Sequence, residues 1–211
     1  MNLNHSPQLS PEWWELKVGK ISGTRFGQAT SNRKNRLLYD IINEKLSGYI
    51  EQDDYTSEEM QFGNENEPIA RDLYIEHSGI AFEQVGAILS DFSPIHMASP
   101  DGLNAEKGIV LEIKCTSNGA IHLQRFFEGP EDKYMPQIKN YFAVSDDVKE
   151  VHWVSYCPYR PERKLVVFQF IRSDFITEDK KRGTVDEIEE GRQAIKALEG
   201  QLNDLHEKFI F

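Results

Sequence analysis

The sequence has few cysteines, no long apolar run and no excess of basic residues. Its 211 residues include two cysteines, Cys115 and Cys157, which are too few for a disulfide framework or a cysteine-ligated zinc or iron–sulfur site. No window approaches the roughly 18 consecutive apolar residues of a membrane span. The first residues also lack the basic and apolar regions of a secretory signal. We therefore expect a cytoplasmic protein with no membrane partner.

The low basic content argues at first against a nucleic-acid partner. Lysine and arginine number 24 against 35 aspartates and glutamates, which gives a formal net charge of −11 at pH 7. Such an excess repels a phosphate backbone at long range. The charge is uneven, however, because residues 1–48 carry seven basic and four acidic residues, whereas residues 51–67 carry seven acids and no basic residue. A DNA enzyme with a basic channel inside an acidic exterior therefore stays open, and the acidic run is interpreted as a solvated loop and helix.

No internal repeat, low-complexity tract or Gly/Ser linker divides the chain. The expected organisation is a single domain over 1–211. It has a mainly helical region over 1–79, a catalytic sheet and helix over 80–172, and a C-terminal helix over 173–211.

Hydrophobic periodicity gives the expected order of helices and strands. Apolar residues at helical spacing predict helices near 10–16, over 35–46, from Ser57 towards Tyr74, near 135–142, and from about Thr177 to the end. The last helix would carry an apolar stripe of Val185, Ile188, Ile195, Leu198, Leu202 and Leu205. Apolar or alternating runs predict strands within 80–89, 95–98, 109–115, 151–156 and 164–171. This order indicates an α/β fold with a central mixed β-sheet flanked by helices.

Asp101, Glu112 and Lys114 form the strongest chemical signal in the chain. Asp101 follows a short strand on a Pro-Asp-Gly turn, and Glu112 and Lys114 share one face of an apolar strand, since side chains alternate with period two. If the two strands pair as a hairpin, both carboxylates meet at one point. Hard oxygen ligands with open positions suit Mg²⁺ or Mn²⁺, which polarise a phosphodiester and lower the pKa of a bound water. Lys114 could position that water or neutralise developing charge.

A purely structural interpretation competes with this one. Glu-X-Lys on a strand is common as a solvated ion pair, and Pro-Asp-Gly is a frequent turn. The apolar residues around Glu112 favour the functional interpretation, because charges within a buried strand seldom lack a role.

Several sequence blocks around these residues resemble one nuclease family. The pattern Pro100-Asp101…Glu112-Ile113-Lys114 resembles the PD-(D/E)XK nuclease motif. In order along the chain, five blocks are similar to the phage lambda exonuclease (YqaJ-like) branch: residues 14–24, 62–71, 98–103, 111–115 and 134–137. The resemblance runs from about residue 12 to 158 and implies a restriction-endonuclease-like core.

The resemblance also implies a role for individual residues. It makes Asp101, Glu112 and the backbone carbonyl of Ile113 ligands of the metal ions, two per site, with Lys114 as the catalytic lysine. Glu67 would be a further acid at the metal site and Gln137 a polar group facing it. Lys17, Thr24 and Ser99 would line a pocket for the 5′-phosphate. Two positions depart from the family pattern, which has arginine at Lys17 and serine at Thr24, and lysine lacks the bidentate fork of arginine.

The implied activity is Mg²⁺-dependent degradation of linear double-stranded DNA, 5′ to 3′. A 3′ single-stranded tail would remain for a strand-annealing recombinase in phage-type recombination. The family further implies a ring-shaped homotrimer and a phage or prophage protein in a bacterial host. Two alternatives stay open: a structure-specific or restriction-type endonuclease with the same site, and a catalytically silent module that binds DNA ends.

Other conspicuous residues have structural alternatives. Trp13 and Trp14 could wedge between DNA strands or pack in the core. Tyr134 could contact DNA or pack at a helix start. The six histidines show no metal-ligand spacing, and neither cysteine has the context of a nucleophile.

Overall fold

The computed structural model describes residues 1–50 and 57–210. The helices are α1 (Pro11–Lys17), α2 (Thr24–Ala29), α3 (Lys34–Ser47), α4 (Glu58–Ser78), α5 (Gly119–Glu128), α6 (Met135–Val144) and α7 (Glu187–Ile210). The strands are β1 (Asn2–Asn4), β2 (Ala87–Leu89), β3 (Met97–Ala98), β4 (Gly102–Asn104), β5 (Ile109–Cys115), β6 (Glu150–Tyr156), β7 (Leu165–Ile171), β8 (Ile176–Asp179) and β9 (Gly183–Asp186). The first part of the predicted acidic run, 51–56, lies outside the described residues. Within them, no helix has the length and apolar character to cross a membrane.

A four-stranded mixed sheet carries the centre of the fold. Its order is β4-β5-β6-β7, with β5 parallel to β6 and the other pairs antiparallel. A second, antiparallel sheet has the order β1-β2-β3. Helices flank these sheets, so the predicted α/β fold with a central mixed sheet is confirmed.

The central strand β5 is covered on both faces. Leu111 and Ile113 are buried against Ala70 and Tyr74 of α4. Val110, on the opposite face, belongs to the main core, which also contains residues of α2, α3, α6 and α7. Because side chains alternate along a strand, Glu112 and Lys114 lie on the Val110 face. An apolar strand thus carries two charged side chains towards the interior.

The predicted helix starts are found where the capping residues stand. Ser10 Oγ accepts a hydrogen bond from the Trp13 N–H at 3.3 Å and opens α1, and Ser57 Oγ accepts from the Met60 N–H at 3.2 Å and opens α4. Gly79, at φ 67°, ends α4 in the left-handed conformation. These caps explain why the two starts were readable from sequence.

The prediction of a helix from about Thr177, and of a C-terminal helix over 173–211, is wrong at its beginning. A 3₁₀ turn and the β8–β9 hairpin come first, and α7 begins at Glu187. The β-branched residues of 176–185 favour strands, and the hairpin turns at Gly183, whose φ of 74° a helix excludes. Asp179 Oδ1 accepts from two backbone N–H groups of this turn at 2.8 Å.

The apolar stripe of this segment is covered by the chain itself. Val185 lies on β9 rather than on the helix. Ile188, Ile195, Leu198 and Leu202 are buried in the main core, where α7 packs against α2, α3 and α6. The stripe therefore forms part of the core of the chain.

Besides the β8–β9 hairpin, three elements were not predicted, and one strand is shorter than expected. These three are α5, capped by Asn118, and the strands β1 and β4. The run 80–89 forms a strand only from Ala87. The Gly86 N–H donates to the Asn4 carbonyl, and a Cβ at Gly86 would lie 2.1 Å from the Ser6 carbonyl oxygen, so β1 approaches the backbone closely here.

Candidate active site

The β4–β5 hairpin fixes Asp101 beside Glu112. The Asp101 N–H donates to the Leu111 carbonyl at 3.0 Å, and Asp101 Oδ2 accepts from the Ile113 N–H at 2.6 Å. The carbonyl of a strand residue points to the same side as its N–H, so the Ile113 carbonyl also faces the Asp101 side of β5. The predicted pairing of the strand before Asp101 with β5 is wrong, because β3 pairs with β2 in the other sheet. The two carboxylates are brought together instead by β4, which begins directly after Asp101 and pairs with β5.

Glu112 is held at both carboxylate oxygens. The side chain is 1% exposed, its Oε1 accepts a hydrogen bond from the Lys114 ammonium, and its Oε2 contacts the Tyr141 hydroxyl. The same hydroxyl lies 3.1 Å from the Ser99 carbonyl oxygen and 3.5 Å from Gln137 Nε2. A buried carboxylate with charged and polar partners on both oxygens has a fixed orientation.

Lys114 is maintained as a cation by its neighbours. Burial alone would lower its pKa, but the carboxylates of Glu112 and Asp101 more than offset this effect and raise the pKa above its usual value. The ammonium also lies 5.5 Å from the centre of the Tyr134 ring. Lys114 therefore suits electrostatic stabilisation better than proton abstraction.

Asp101 lies in a strongly acidic environment. Burial raises its pKa well above the usual range, and the neighbouring carboxylates of Glu112 and then Glu67 raise it further. Glu67 forms an ion pair with Arg71, whose Nε donates to the Asp101 carbonyl at 2.7 Å. Three acids thus influence one another, with Lys114 and Arg71 as the compensating cations.

These residues open into a cavity of about 340 Å³. Seven of the predicted site residues line it: Lys17, Thr24, Ser99, Asp101, Glu112, Lys114 and Gln137. Among the described residues, the lining does not include Glu67, Ile113 or Tyr134. The roles assigned to all of these residues stay predictions, but the seven that line the cavity come from four elements and one loop and meet in one place.

The predicted phosphate-pocket residues come from separate parts of the chain. Lys17 ends α1 and its ammonium lies 4.3 Å from the Trp13 ring centre and 5.0 Å from that of Trp14. Burial, and then the charge of Arg25, lowers the Lys17 pKa. Ser99 Oγ is buried without a hydrogen-bond partner among the described residues, so it is available to a ligand.

The two tryptophans differ in their environments. Trp13 is buried, and its indole N–H donates to the Gly86 carbonyl at 2.8 Å, which supports the structural interpretation. Trp14 is only partly buried, and both tryptophans line the cavity.

The oxygen ligands at the site suit a hard divalent cation, but they are too few to complete its coordination. Two carboxylates and a backbone carbonyl are oxygen ligands of the kind Mg²⁺ prefers, and Mg²⁺ commonly keeps several waters. Within 1–50 and 57–210, no group of three or more His, Cys, Asp or Glu side chains lies close enough to share a metal. Asp101 and Glu112, with the Ile113 carbonyl, are the groups that could hold an ion. Glu67 forms an ion pair with Arg71, and its role at the metal site stays a prediction.

Sequence reasoning missed Tyr141 and Arg25, which both line the cavity. Tyr141 was assigned to the apolar face of α6, although it stands four residues after Gln137 and hence on the same side of the helix. Arg25 follows Thr24 directly and was counted only as part of the basic segment. Tyr134 receives a hydrogen bond from Arg125 Nη2 at 3.2 Å, consistent with the packing alternative.

Comparisons with known proteins identify the family of this chain. Residues 12–147 match the model of the YqaJ-like viral recombinase domain. The alkaline exonuclease LHK-Exo from Laribacter hongkongensis has 27% sequence identity and a TM-score of 0.75, with 95% of this chain and 98% of that chain covered. A second structure of LHK-Exo, in complex with dAMP, has 26% identity, the same TM-score and the same coverage. No curated protein sequence matches this chain significantly.

A more distant neighbour shares the fold. The phage related exonuclease from Haemophilus somnus 129PT has 15% identity and a TM-score of 0.60, with 88% of this chain and 95% of that chain covered. The family predicted from the sequence blocks is confirmed, and the matched segment contains all the cavity residues discussed above. The chain belongs to the family of YqaJ-like viral recombinase domains.

Proposed function

We propose that this protein is a metal-dependent exodeoxyribonuclease that degrades linear double-stranded DNA 5′ to 3′. One observation carries the proposal: Asp101, Glu112 and Lys114 meet in a cavity of a YqaJ-like domain. The similarity to the alkaline exonuclease LHK-Exo, at 27% identity over nearly the whole chain, supports the same reaction class. The dAMP complex of that exonuclease shows a mononucleotide bound to a relative.

Asp101, Glu112 and the Ile113 carbonyl would hold the metal, which we propose to be Mg²⁺, with Mn²⁺ as a substitute and two ions per site. Bound there, the metal supplies Lewis-acid polarisation of the phosphodiester and a water of lowered pKa. Glu67 contributes negative charge to the site without ligating directly, since Arg71 pairs with it.

The remaining groups of the site orient Glu112 and stabilise the negative charge that develops on the phosphate. The Lys114 ammonium, held by Glu112, stabilises the negative charge that develops on the phosphate oxygens. The Tyr141 hydroxyl fixes the second oxygen of Glu112, and Gln137 adds a polar group that faces the substrate from α6. Catalysis then depends on groups that are in place before DNA binds.

The DNA end would enter beside Lys17, Thr24 and Ser99. A cation and two hydroxyls around a terminal phosphate favour 5′-phosphorylated ends through charge-assisted hydrogen bonds. Tyr134 borders this region from the start of α6, where its ring faces Lys114. We therefore expect 5′-phosphorylated duplexes to be degraded faster than 5′-hydroxyl duplexes.

A ring-shaped homotrimer would explain how a negatively charged protein holds DNA. With a net charge of −11, the protein needs its basic residues concentrated where DNA passes. Copies of segment 1–48 around a central channel would do so, and cyclic symmetry closes such a ring. We further propose that the 3′ tail passes to a single-strand annealing recombinase, and that the protein acts in the cytoplasm of a bacterial host of a phage or prophage.

Linear and covalently closed circular duplexes, incubated with protein and Mg²⁺, test this function. The proposal predicts loss of the linear DNA, intact circles and earlier release of a 5′ label than of a 3′ label. Nicked circles would instead support the endonuclease, and binding without hydrolysis would support the end-binding module. Light scattering on the purified protein checks the trimer, which a monomer would contradict.

A further inference from the structure

Arg25 places a guanidinium in the same cavity as the proposed catalytic residues. It is the second residue of α2, it follows Thr24 directly, and its side chain is 24% exposed. Two cations, Lys17 and Arg25, therefore line the same cavity as Ser99.

Glu44 of α3 fixes the orientation of this guanidinium. Arg25 Nη1 donates to Glu44 Oε2 at 3.0 Å, and Arg25 Nη2 donates to Glu44 Oε1. Nη1 also donates to the Lys20 carbonyl at 3.0 Å, and the Gly19 N–H donates to Glu44 Oε2 at 3.0 Å. Because the Glu44 side chain is only 6% exposed, this arrangement clamps the loop between α1 and α2 as well as the arginine.

Among the described residues, one edge of the guanidinium has no hydrogen-bond partner. Glu44 and Lys20 use both hydrogens of Nη1 and one of Nη2. In the part of the chain that the structure describes, nothing accepts from Nε or from the second Nη2 hydrogen. These two hydrogens point to the same side of the planar group, the geometry that binds two phosphate oxygens at once.

The surroundings of this free edge favour a doubly charged anion. Lys17 and Arg25 contribute two positive charges against the single negative charge of Glu44, and the Lys17 pKa is lowered by burial and by Arg25. The Ser99 hydroxyl is buried and unpartnered. A terminal phosphate monoester carries close to two negative charges at neutral pH and three acceptor oxygens, whereas an internal phosphodiester carries one charge.

We propose that Arg25, oriented by Glu44, binds the terminal 5′-phosphate of the DNA strand through its free edge. Lys17 supplies positive charge without a bidentate group, and Arg25 supplies that group from α2. The inference rests on the proposed nuclease function and assigns a further substrate-binding residue to the same site, with Glu44 as its positioning residue.

The test compares Arg25→Lys with Arg36→Lys, a matched control on α3 whose guanidinium is exposed and paired with Asp40. Both substitutions keep the positive charge and remove a bidentate guanidinium group. For each protein we would measure kcat/KM in Mg²⁺, and binding by fluorescence anisotropy in EDTA, on blunt duplexes with 5′-phosphate or 5′-hydroxyl ends. Arg25→Lys should reduce the preference for 5′-phosphate by about tenfold to a hundredfold, as expected for losing charge-assisted hydrogen bonds. Arg36→Lys should leave the preference unchanged.

A second variant keeps the test valid if Arg25→Lys does not fold. The double substitution Arg25→Met with Glu44→Met removes both partners of the buried pair, so no uncompensated carboxylate remains. It should lose the same preference in the anisotropy measurement.

The outcomes separate this inference from the proposed function. Full retention of the phosphate preference by Arg25→Lys, or equal binding of both ends by the wild type, would overturn the role of Arg25. Hydrolysis of neither duplex by the wild type would overturn the nuclease, yet an Arg25-dependent preference in binding would still support the inference.

Discussion

Removing the hydroxyl of Tyr141 should destabilise the protein and slow DNA hydrolysis. This hydroxyl contacts Glu112 Oε2, and the Glu112 side chain is 1% exposed, so its removal takes one of two polar partners from a largely buried carboxylate. A hydrogen bond to a charged group contributes about 1.5–3 kcal/mol. Tyr141→Phe creates no clash, and Lys114 still compensates the charge of Glu112. We therefore expect the free energy of unfolding to fall by about 1.5–3 kcal/mol in metal-free buffer.

Urea unfolding followed by circular dichroism measures this loss. Tyr39→Phe is the matched control, because Tyr39 is 63% exposed and its hydroxyl is free to bond with water, so its change should stay within about 0.5 kcal/mol. In Mg²⁺, Tyr141→Phe should also lower turnover more than DNA affinity, because Glu112 is less firmly oriented. A change in Tyr141→Phe no larger than that of the control would refute the reasoning that this hydroxyl supports the buried carboxylate.

Three further predictions test other parts of the structure. Lys114→Ala should lower turnover by about a hundredfold or more with little change in DNA affinity, and Lys114→Arg should not restore turnover. A near-normal rate constant for either variant in single-turnover assays would reduce the role of Lys114 to a structural ion pair with Glu112. Gly191→Ala should lower the free energy of unfolding by about 1–3 kcal/mol, since its Cβ would lie 2.3 Å from the Phe26 ring. Gly200→Ala on the same helix meets nothing within 4 Å and should raise the free energy of unfolding by about 0.5–1 kcal/mol. Equal urea midpoints for the two variants would contradict the close packing of Gly191 against Phe26. Burial lowers the pKa of His96 from 6.5 to about 4. Between pH 6.5 and pH 4 this histidine is therefore protonated in the unfolded chain and neutral in the folded protein. Stability should then decrease as the pH falls, by roughly 2 kcal/mol between pH 7.5 and pH 5, and a His96→Gln variant with the same acid sensitivity would disprove this assignment.

The sequence was informative about the fold where local signals and burial agree. Ser10 and Ser57 cap helices that the sequence places correctly, and the alternation around Glu112 predicts the faces of β5. The region after 172 was misread because its apolar residues fit a helical stripe as well as a hairpin. Only the left-handed turn at Gly183 and the β-branched residues beside it distinguish the two.

The candidate site was predictable in part for a comparable reason. A motif with fixed spacing brings Asp101, Glu112 and Lys114 together through a local hairpin, so their proximity follows from sequence. Contacts between distant elements do not follow in this way. The pairing of Arg25 with Glu44 of α3, and the approach of Tyr141 to Glu112, depend on how helices pack, which no short motif specifies.

The most direct test of the central claim is hydrolysis of a linear 5′-phosphorylated duplex by wild type and Glu112→Gln, each with Mg²⁺ and with EDTA. Glutamine keeps the size of the side chain and removes the charge that a metal ligand needs. The account predicts mononucleotide release only from wild type in Mg²⁺, with DNA binding retained by Glu112→Gln. Equal release in EDTA, or wild-type rates from Glu112→Gln, would contradict a metal-dependent nuclease centred on Asp101 and Glu112.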